Sequence, residues 1–251
     1  MRTLISALFF SLLFSYTSAQ ENTFSRNSSL TAGFLQIKES ANIGLVFKGP
    51  AIYYGMDWNI KNDKSLITFG YDLGLGILFS REMPALAFYL KPVDFAYLFK
   101  IHAAGNDLHL GPSLKVEYNY SLFPELQSGF DYWFTNMSLG INARYDFNLA
   151  NYSFQVKVES SLIGLTSRQP FYRDPHFYDL GIKYAIRHLN QDLTFGSFMR
   201  FNSGTLEILM KSKPESRLTF GYVLKYSEYS EAPEITMVSH NIKFIIAKRQ
   251  K

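Results

Sequence analysis

The sequence predicts an all-β fold, an antiparallel up-and-down transmembrane β-barrel of about twelve strands. Three observations predict it: an apolar leader, long segments in which apolar and polar residues alternate, and a composition rich in aromatic residues but poor in charge. The 251 residues include 23 Phe and 17 Tyr, and charged residues make up 18%, against roughly 25% in an average globular protein. A barrel whose outer wall carries two aromatic girdles needs such a composition.

The first 19 residues match a secretory signal peptide. Arg2 supplies the positive charge, residues 4–14 form the apolar stretch, and the small residues Thr17 and Ala19 precede the cleavage site. A membrane-spanning helix needs roughly 20 apolar residues, and several serines interrupt this stretch. We therefore expect a cleaved signal peptide at 1–19 and export of the remaining chain.

Alternation of apolar and polar residues with a period of two is the strongest signal for strands. Successive side chains of a strand point to opposite faces. In 217–227, one face includes Phe220 and the other includes Thr219, and the segments 108–120 and 137–148 alternate in the same way. Strands of roughly 10–14 residues are closer to the 9–11 that cross a bilayer than to the 5–6 of soluble sheets. We expect the apolar face to meet lipid and the polar face to line a lumen.

Turn residues divide the mature chain into about twelve strands. In order, the segments are 29–37, 50–60, 65–79, 85–102, 107–120, 130–148, 152–163, 177–188, 192–202, 204–212, 217–227 and 235–247. Pro92 interrupts the fourth, and a strand tolerates proline only at an edge or a bulge. The connections alternate between short and long, which predicts a periplasmic N-terminus. Two short connections, near Met83-Pro84 and at Asn202-Ser203-Gly204, break this alternation.

The composition excludes several chemistries. The chain has no cysteine, which excludes disulfides, thiolate metal sites and cysteine nucleophiles. Its net charge is only +4 and no long basic run is present, so we expect no nucleic-acid partner. Metal-ligand spacings and phosphate-binding glycine loops do not occur, and we expect neither a metal nor a cofactor.

The charged residues on the polar faces are candidates for lining the lumen. They are Asp57, Asp72, Lys115, Glu117, Arg144, Asp146, Lys157, Glu159, Lys183, Arg187, Arg200, Glu207 and Lys225. Both signs occur in similar numbers, which permits two interpretations. The charges form a cross-strand ion-pair network that closes the lumen, or they line a polar path for small solutes.

The segment 165–176 is a candidate extracellular loop with a polar surface site. Its candidate residues are Arg168, Phe171, Tyr172, Arg173, Asp174 and His176. Loops carry functional residues more often than the elements they connect, although an ordinary exposed loop has the same composition.

From the leader, the repeated aromatic alternation in Thr219–Tyr226 and the loop pattern, residues 20–251 resemble the bacterial outer-membrane β-barrel superfamily. The resemblance implies location in the cell outer membrane, contact with its lipid and lipopolysaccharide, and assembly by the barrel-insertion machinery. It names no subfamily and no oligomeric state. Members usually end in an aromatic residue, whereas here Phe244 lies several residues before the end and is followed by a basic tail.

Three functions are compatible with the sequence. The first is a non-enzymatic barrel, either a narrow porin-like channel for small solutes or a structural or assembly component. The second is a barrel lipid hydrolase of the phospholipase or lipid A deacylase type, although none of the five histidines has a serine two residues away on its strand face. The third is a soluble exported β-protein that binds a hydrophobic ligand.

Overall fold

The computed structural model describes residues 23–40, 44–103, 106–124, 131–168, 189–197, 200–212, 216–231 and 234–249. These form one antiparallel sheet. Its strands are β1 (Thr23–Glu39), β2 (Val46–Lys61), β3 (Ser65–Ser80), β4 (Met83–Ala103), β5 (Asn106–Leu122), β6 (Asp131–Leu149), β7 (Tyr152–Arg168), β8 (Thr194–Ser197), β9 (Phe201–Lys211), β10 (Leu218–Tyr229) and β11 (Ile235–Arg249).

The sheet closes into a barrel of ten strands. From β2 to β7, each strand pairs with the one before it; β7 then pairs with β9, β9 with β10, β10 with β11, and β11 with β1. The short β8 stands outside this ring of pairings and extends the edge of β7 beyond the part that β9 covers. The predicted all-β antiparallel up-and-down barrel is therefore confirmed, and its described strand count is slightly below the predicted twelve.

The difference between the twelve predicted strands and the ten of the barrel comes from two parts of the chain, 177–188 and 192–212. The predicted strands 192–202 and 204–212 correspond to β8 and β9, which both run antiparallel to β7 and so point the same way. The predicted turn at Asn202-Ser203-Gly204 lies within β9, because small residues are also compatible with an extended backbone. The predicted strand 177–188 lies outside the described residues.

The inside and outside of the wall follow the predicted alternation. Phe220 is 42% exposed, whereas its neighbour Thr219 is 4% exposed and faces the interior. On β6, Leu139 and Ile141 are exposed and Asn142 is fully buried. In the described residues, no helix is long and apolar enough to span a membrane.

The two ends of the barrel differ in their connections. The terminal end, where β1 begins and β11 ends, has tight connections at 62–64 and 150–151. At the opposite end, called the loop end below, the strands lie further apart in sequence, as between Glu39 of β1 and Val46 of β2, and the short turn at 81–82 is the exception predicted near Met83-Pro84. Arg81 has φ of 56°, a left-handed backbone that such a tight reversal requires.

Apolar side chains pack together in the interior at the loop end. This loop-end cluster consists of Ile37, Phe47, Leu78, Ala85, Ala87, Phe123, Tyr132, Phe134, Phe201, Tyr229, Ile235 and Met237. All are buried, and the rings of Phe47 and Phe123 meet with centroids 4.6 Å apart. The barrel therefore has an apolar core at one end and a polar lumen towards the other.

Candidate functional site

A polar cavity of about 1110 Å³, called the chamber below, occupies the lumen from the terminal end to the middle of the barrel. Ten of the charged residues predicted for the lumen line it: Asp57, Asp72, Lys115, Glu117, Arg144, Asp146, Lys157, Glu159, Glu207 and Lys225. Alternate residues of each strand face inward, so strands on all sides contribute charges to one space.

Three other predicted lumen residues have different outcomes. Lys183 and Arg187 lie outside the described residues. Arg200 does not line the chamber: it lies at a turn before β9, is 50% exposed in its side chain and pairs with Glu231 at 2.7 Å. The prediction for Arg200 was wrong because it assumed an unbroken strand over 192–202, whereas the chain turns there.

Sequence alternation missed two inward residues of β4, Lys91 and Asp94. At three residues apart they would face opposite sides of a regular strand. The register of β4 shifts against both β3 and β5 around Pro92, with one extra residue on β4. This bulge brings both side chains into the chamber. Pro92, inside the long predicted strand 85–102, was the sequence signal that could have indicated this bulge.

Lys243 on β11 was also missed, although alternation could have found it. The segment 235–247 has His240, Ile242 and Phe244 on its apolar face. Lys243 lies on the other face and lines the chamber. The Lys243 Nζ atom forms an ion pair with Glu207, at 2.9 Å from its Oε1 atom.

The chamber charges pair with one another across strands. Lys91 contacts Asp72 at 2.9 Å and also pairs with Asp94. Lys115 reaches across the lumen to Glu159 on β7 at 3.4 Å and to the Ser203 hydroxyl on β9 at 3.1 Å. Such pairs avoid the cost of an isolated buried charge. The arrangement is the cross-strand ion-pair network that the sequence permitted.

A second group of ion pairs lies closer to the terminal end. The carboxylate of Asp107 accepts contacts from Lys61 at 2.9 Å and Lys100 at 2.6 Å. Arg144 pairs with Asp146 on its own strand at 3.0 Å. The chamber is therefore lined by paired charges of both signs rather than by one dominant sign.

The inner end of the chamber is formed by an arrangement called the ammonium cage below, made of Tyr53, Tyr89 and Asp72 around Lys225. The Lys225 Nζ lies 4.9 Å from the Tyr53 ring centroid and 4.7 Å from that of Tyr89. It is 3.8 Å from Asp72 Oδ2. The Tyr89 hydroxyl donates a hydrogen bond of 2.7 Å to Glu117. Beyond the cage lies a second void of only about 50 Å³.

The predicted loop residue Arg168 lies inside the barrel. Its guanidinium donates to both oxygens of Glu39 at 2.6 and 2.7 Å, and it lies over the rings of Phe134 and Tyr229. Both charged side chains are almost fully buried. Its assignment to an exposed loop was wrong because β7 continues to Arg168. The other candidates, Phe171, Tyr172, Arg173, Asp174 and His176, lie outside the described residues.

Two histidines have described side chains. His240 is exposed on the outer wall, and its Nδ1 shares a hydrogen bond of 2.6 Å with the Tyr222 hydroxyl. His109 is buried, and neither ring nitrogen has a hydrogen-bond partner in the described part of the chain. In the described residues, no hydrogen bond joins either ring to a serine hydroxyl. Within that same part, no three residues are arranged to hold a metal ion.

Comparison with known proteins supplies structural likeness without sequence likeness. No protein-family model matches the chain, and no curated protein matches it. The outer-membrane protease OmpT from Escherichia coli aligns with a TM-score of 0.51 at 8% identity, covering 92% of this chain and 98% of that one. The translocator domain of the autotransporter NalP from Neisseria meningitidis aligns with a TM-score of 0.49 at 8% identity, covering 99% and 97%. The likeness to OmpT shows the fold alone: a closed antiparallel β-barrel.

Proposed function

We propose that the chain is a non-enzymatic barrel of the cell outer membrane with a closed lumen, a structural component rather than a solute channel. The loop-end cluster is the observation that carries this proposal. Its buried aromatic and aliphatic side chains pack against one another in the interior, and closely packed apolar side chains leave few voids large enough for water.

The lumen is closed at a second level by the ammonium cage. The chamber ends at Tyr53, Glu117 and Lys225, which also border the small void beyond. That void in turn contacts Ile37 and Met237 of the loop-end cluster. A polar path for solutes would have to cross both barriers, so the ion-pair interpretation of the lumen charges is favoured.

The outer wall supports a location in lipid. Large apolar side chains are exposed on β1, β2, β3 and β6, including Phe34, Ile52, Leu73 and Leu139. Soluble proteins rarely expose a continuous apolar surface of this extent, whereas a barrel in a bilayer requires one. Outer-membrane lipid, lipopolysaccharide and the insertion machinery are the proposed partners, with export directed by residues 1–19.

Cell fractionation tests the location. The full chain, expressed in a Gram-negative host, should lose residues 1–19 and remain in the outer-membrane fraction after washing with urea or high salt. Detergent should be required to extract it. A processed chain that stays soluble without detergent would instead support an exported hydrophobic-ligand binder.

Planar-bilayer recording tests the closed lumen. Folded wild-type protein should give no steady conductance steps, because the loop-end cluster and the ammonium cage both block ions. Insertion is verified separately, by resistance of the barrel to protease in the same lipid. Reproducible conductance steps from verified, folded wild-type protein would contradict the proposal.

A further inference from the structure

We propose that the inner end of the chamber is a binding site for an organic ammonium ion, and that the Lys225 side chain occupies it as an internal ligand. The inference uses the lumen described above but does not depend on the location of the barrel in a membrane. It assigns a ligand class to the chamber that the ion-pair network alone does not.

The geometry of the ammonium cage fits a cation. Two tyrosine rings lie within 5 Å of one nitrogen, at 4.9 and 4.7 Å, inside the roughly 6 Å over which a ring attracts a cation. The two rings meet edge to face, with centroids 5.7 Å apart. Paired aromatic faces of this kind recognise alkylated ammonium groups in other proteins.

Gly74 positions one wall of the cage. A Cβ at this residue would lie 2.2 Å from the Tyr53 Cδ1 atom, closer than any side chain tolerates. The absence of a side chain therefore lets the Tyr53 ring lie against β3, where it faces Lys225. The cage depends on this residue as well as on the two rings.

Lys225 can leave the cage without leaving Asp72 unpaired. Asp72 lies 2.9 Å from Lys91 but 3.8 Å from Lys225, so Lys91 is its closer partner. The contacts between Lys225 and the rings are thus the ones that an external ammonium group would replace. The chamber gives it a route, since Tyr53, Asp72 and Lys225 all line that cavity.

The chemistry of the cage favours an organic cation over an inorganic one. Small inorganic cations hold their water strongly and need several oxygen ligands, whereas the cage offers mainly ring faces. An alkylated ammonium gives up less hydration and makes van der Waals contact with both rings. Choline is therefore a suitable probe, and 3,3-dimethyl-1-butanol is its uncharged analogue of similar shape.

Calorimetric titration of folded protein in detergent tests the site. Lys225→Ala should bind choline at least tenfold more tightly than the wild type, because the internal ligand is gone. Lys225→Met should bind no more tightly than the wild type, since its side chain still fills the cage. Adding Tyr53→Leu to Lys225→Ala should return the affinity to the wild-type level. 3,3-Dimethyl-1-butanol should bind none of these proteins comparably.

Two results would overturn the site: Lys225→Ala binding choline no more tightly than the wild type, or the alcohol binding as tightly as choline. If Lys225→Ala does not fold, acetylation of Lys225 can be followed by mass spectrometry with the lysine in place. Tyr53→Leu should accelerate that acetylation, and an unchanged rate would contradict the cage. Conductance steps from the wild type would contradict the closed lumen proposed above, but they would not affect these binding results.

Discussion

At the scale of single residues, the loop end combines apolar packing with the buried ion pair of Arg168 and Glu39. Arg168 and Glu39 are 6% and 1% exposed in their side chains, and two aromatic rings flank the guanidinium. Removing a charge from water costs several kcal/mol, and a partner at hydrogen-bonding distance offsets that cost. The pair joins β1 to β7 across the interior and so fixes how the loop-end cluster closes.

Breaking this pair on one side should destabilise the barrel strongly. Glu39→Gln leaves a buried guanidinium without its carboxylate, which should lower the free energy of unfolding by about 3 kcal/mol or more. The measurement is urea unfolding of the refolded barrel, followed by tryptophan fluorescence. Glu39→Leu combined with Arg168→Met removes both charges and should be clearly more stable than Glu39→Gln. A single variant as stable as the wild type would show that the pair does not hold the loop end.

At the scale of elements, β4 shows where a strand departs from simple alternation. One extra residue at Pro92 shifts the register against both neighbours. Proline has no N–H to donate, and a bulge is a place in a sheet that tolerates it. The bulge keeps Lys91 and Asp94 on the same inner face, where they pair.

Deleting Pro92 should therefore expose charge to lipid. Without the extra residue, either Lys91 or Asp94 must turn to the outer wall, and charge on that wall is costly in a bilayer. We expect a large loss of folded protein in a lipid-vesicle refolding assay read by gel mobility without heating. Pro92→Ala keeps the residue count and should fold. Equal yields from the deletion and the substitution would contradict this account.

β10 offers a direct test of which face meets lipid. Phe220→Arg places a charge on the outer wall, where the cost is roughly 2–4 kcal/mol at the midplane of a bilayer. Thr219→Arg places the same charge in the chamber, which Thr219 lines. Phe220→Arg should fold poorly into vesicles and Thr219→Arg should fold better. Similar folding of the two variants would reject the assignment of inside and outside.

At the scale of the whole molecule, the two barriers of the lumen act in series. The ammonium cage lies at the inner end of the chamber, and the loop-end cluster lies beyond it. Opening one barrier therefore leaves the other in place. Only their joint removal should give a continuous path.

Conductance of combined variants tests this arrangement. Lys225→Ala alone, and Phe47→Ala with Phe123→Ala, should each give silent planar bilayers. The triple variant should conduct, because it removes the cage cation and the ring pair that packs with centroids 4.6 Å apart. Conductance from Lys225→Ala alone would show that the loop-end cluster does not seal the barrel.

The sequence by itself determined the class of fold and the direction of most side chains. Period-two alternation is a local property, so it assigned Phe220 to the outer wall and Lys115 to the lumen without knowledge of the strand partners. Alternation failed where the structure of a segment depends on its pairing with neighbouring strands. The bulge at Pro92 became visible only in the pairing of β4. The segments of β8 and β9 were predicted as consecutive antiparallel strands of the wall, because the sequence did not show that both pair with β7.

Only the tertiary structure decided what the interior does. Closing the sheet brings Lys225 of β10 against Tyr53 of β2 and Tyr89 of β4. It also places Arg168 and Glu39 in contact, 129 residues apart in sequence. Alternation says that a residue points inward but not which residue it meets there. The register of every strand in the closed barrel determines which side chains come into contact across the interior. For this reason the ammonium cage and the packing of the loop-end cluster could not be predicted from the sequence.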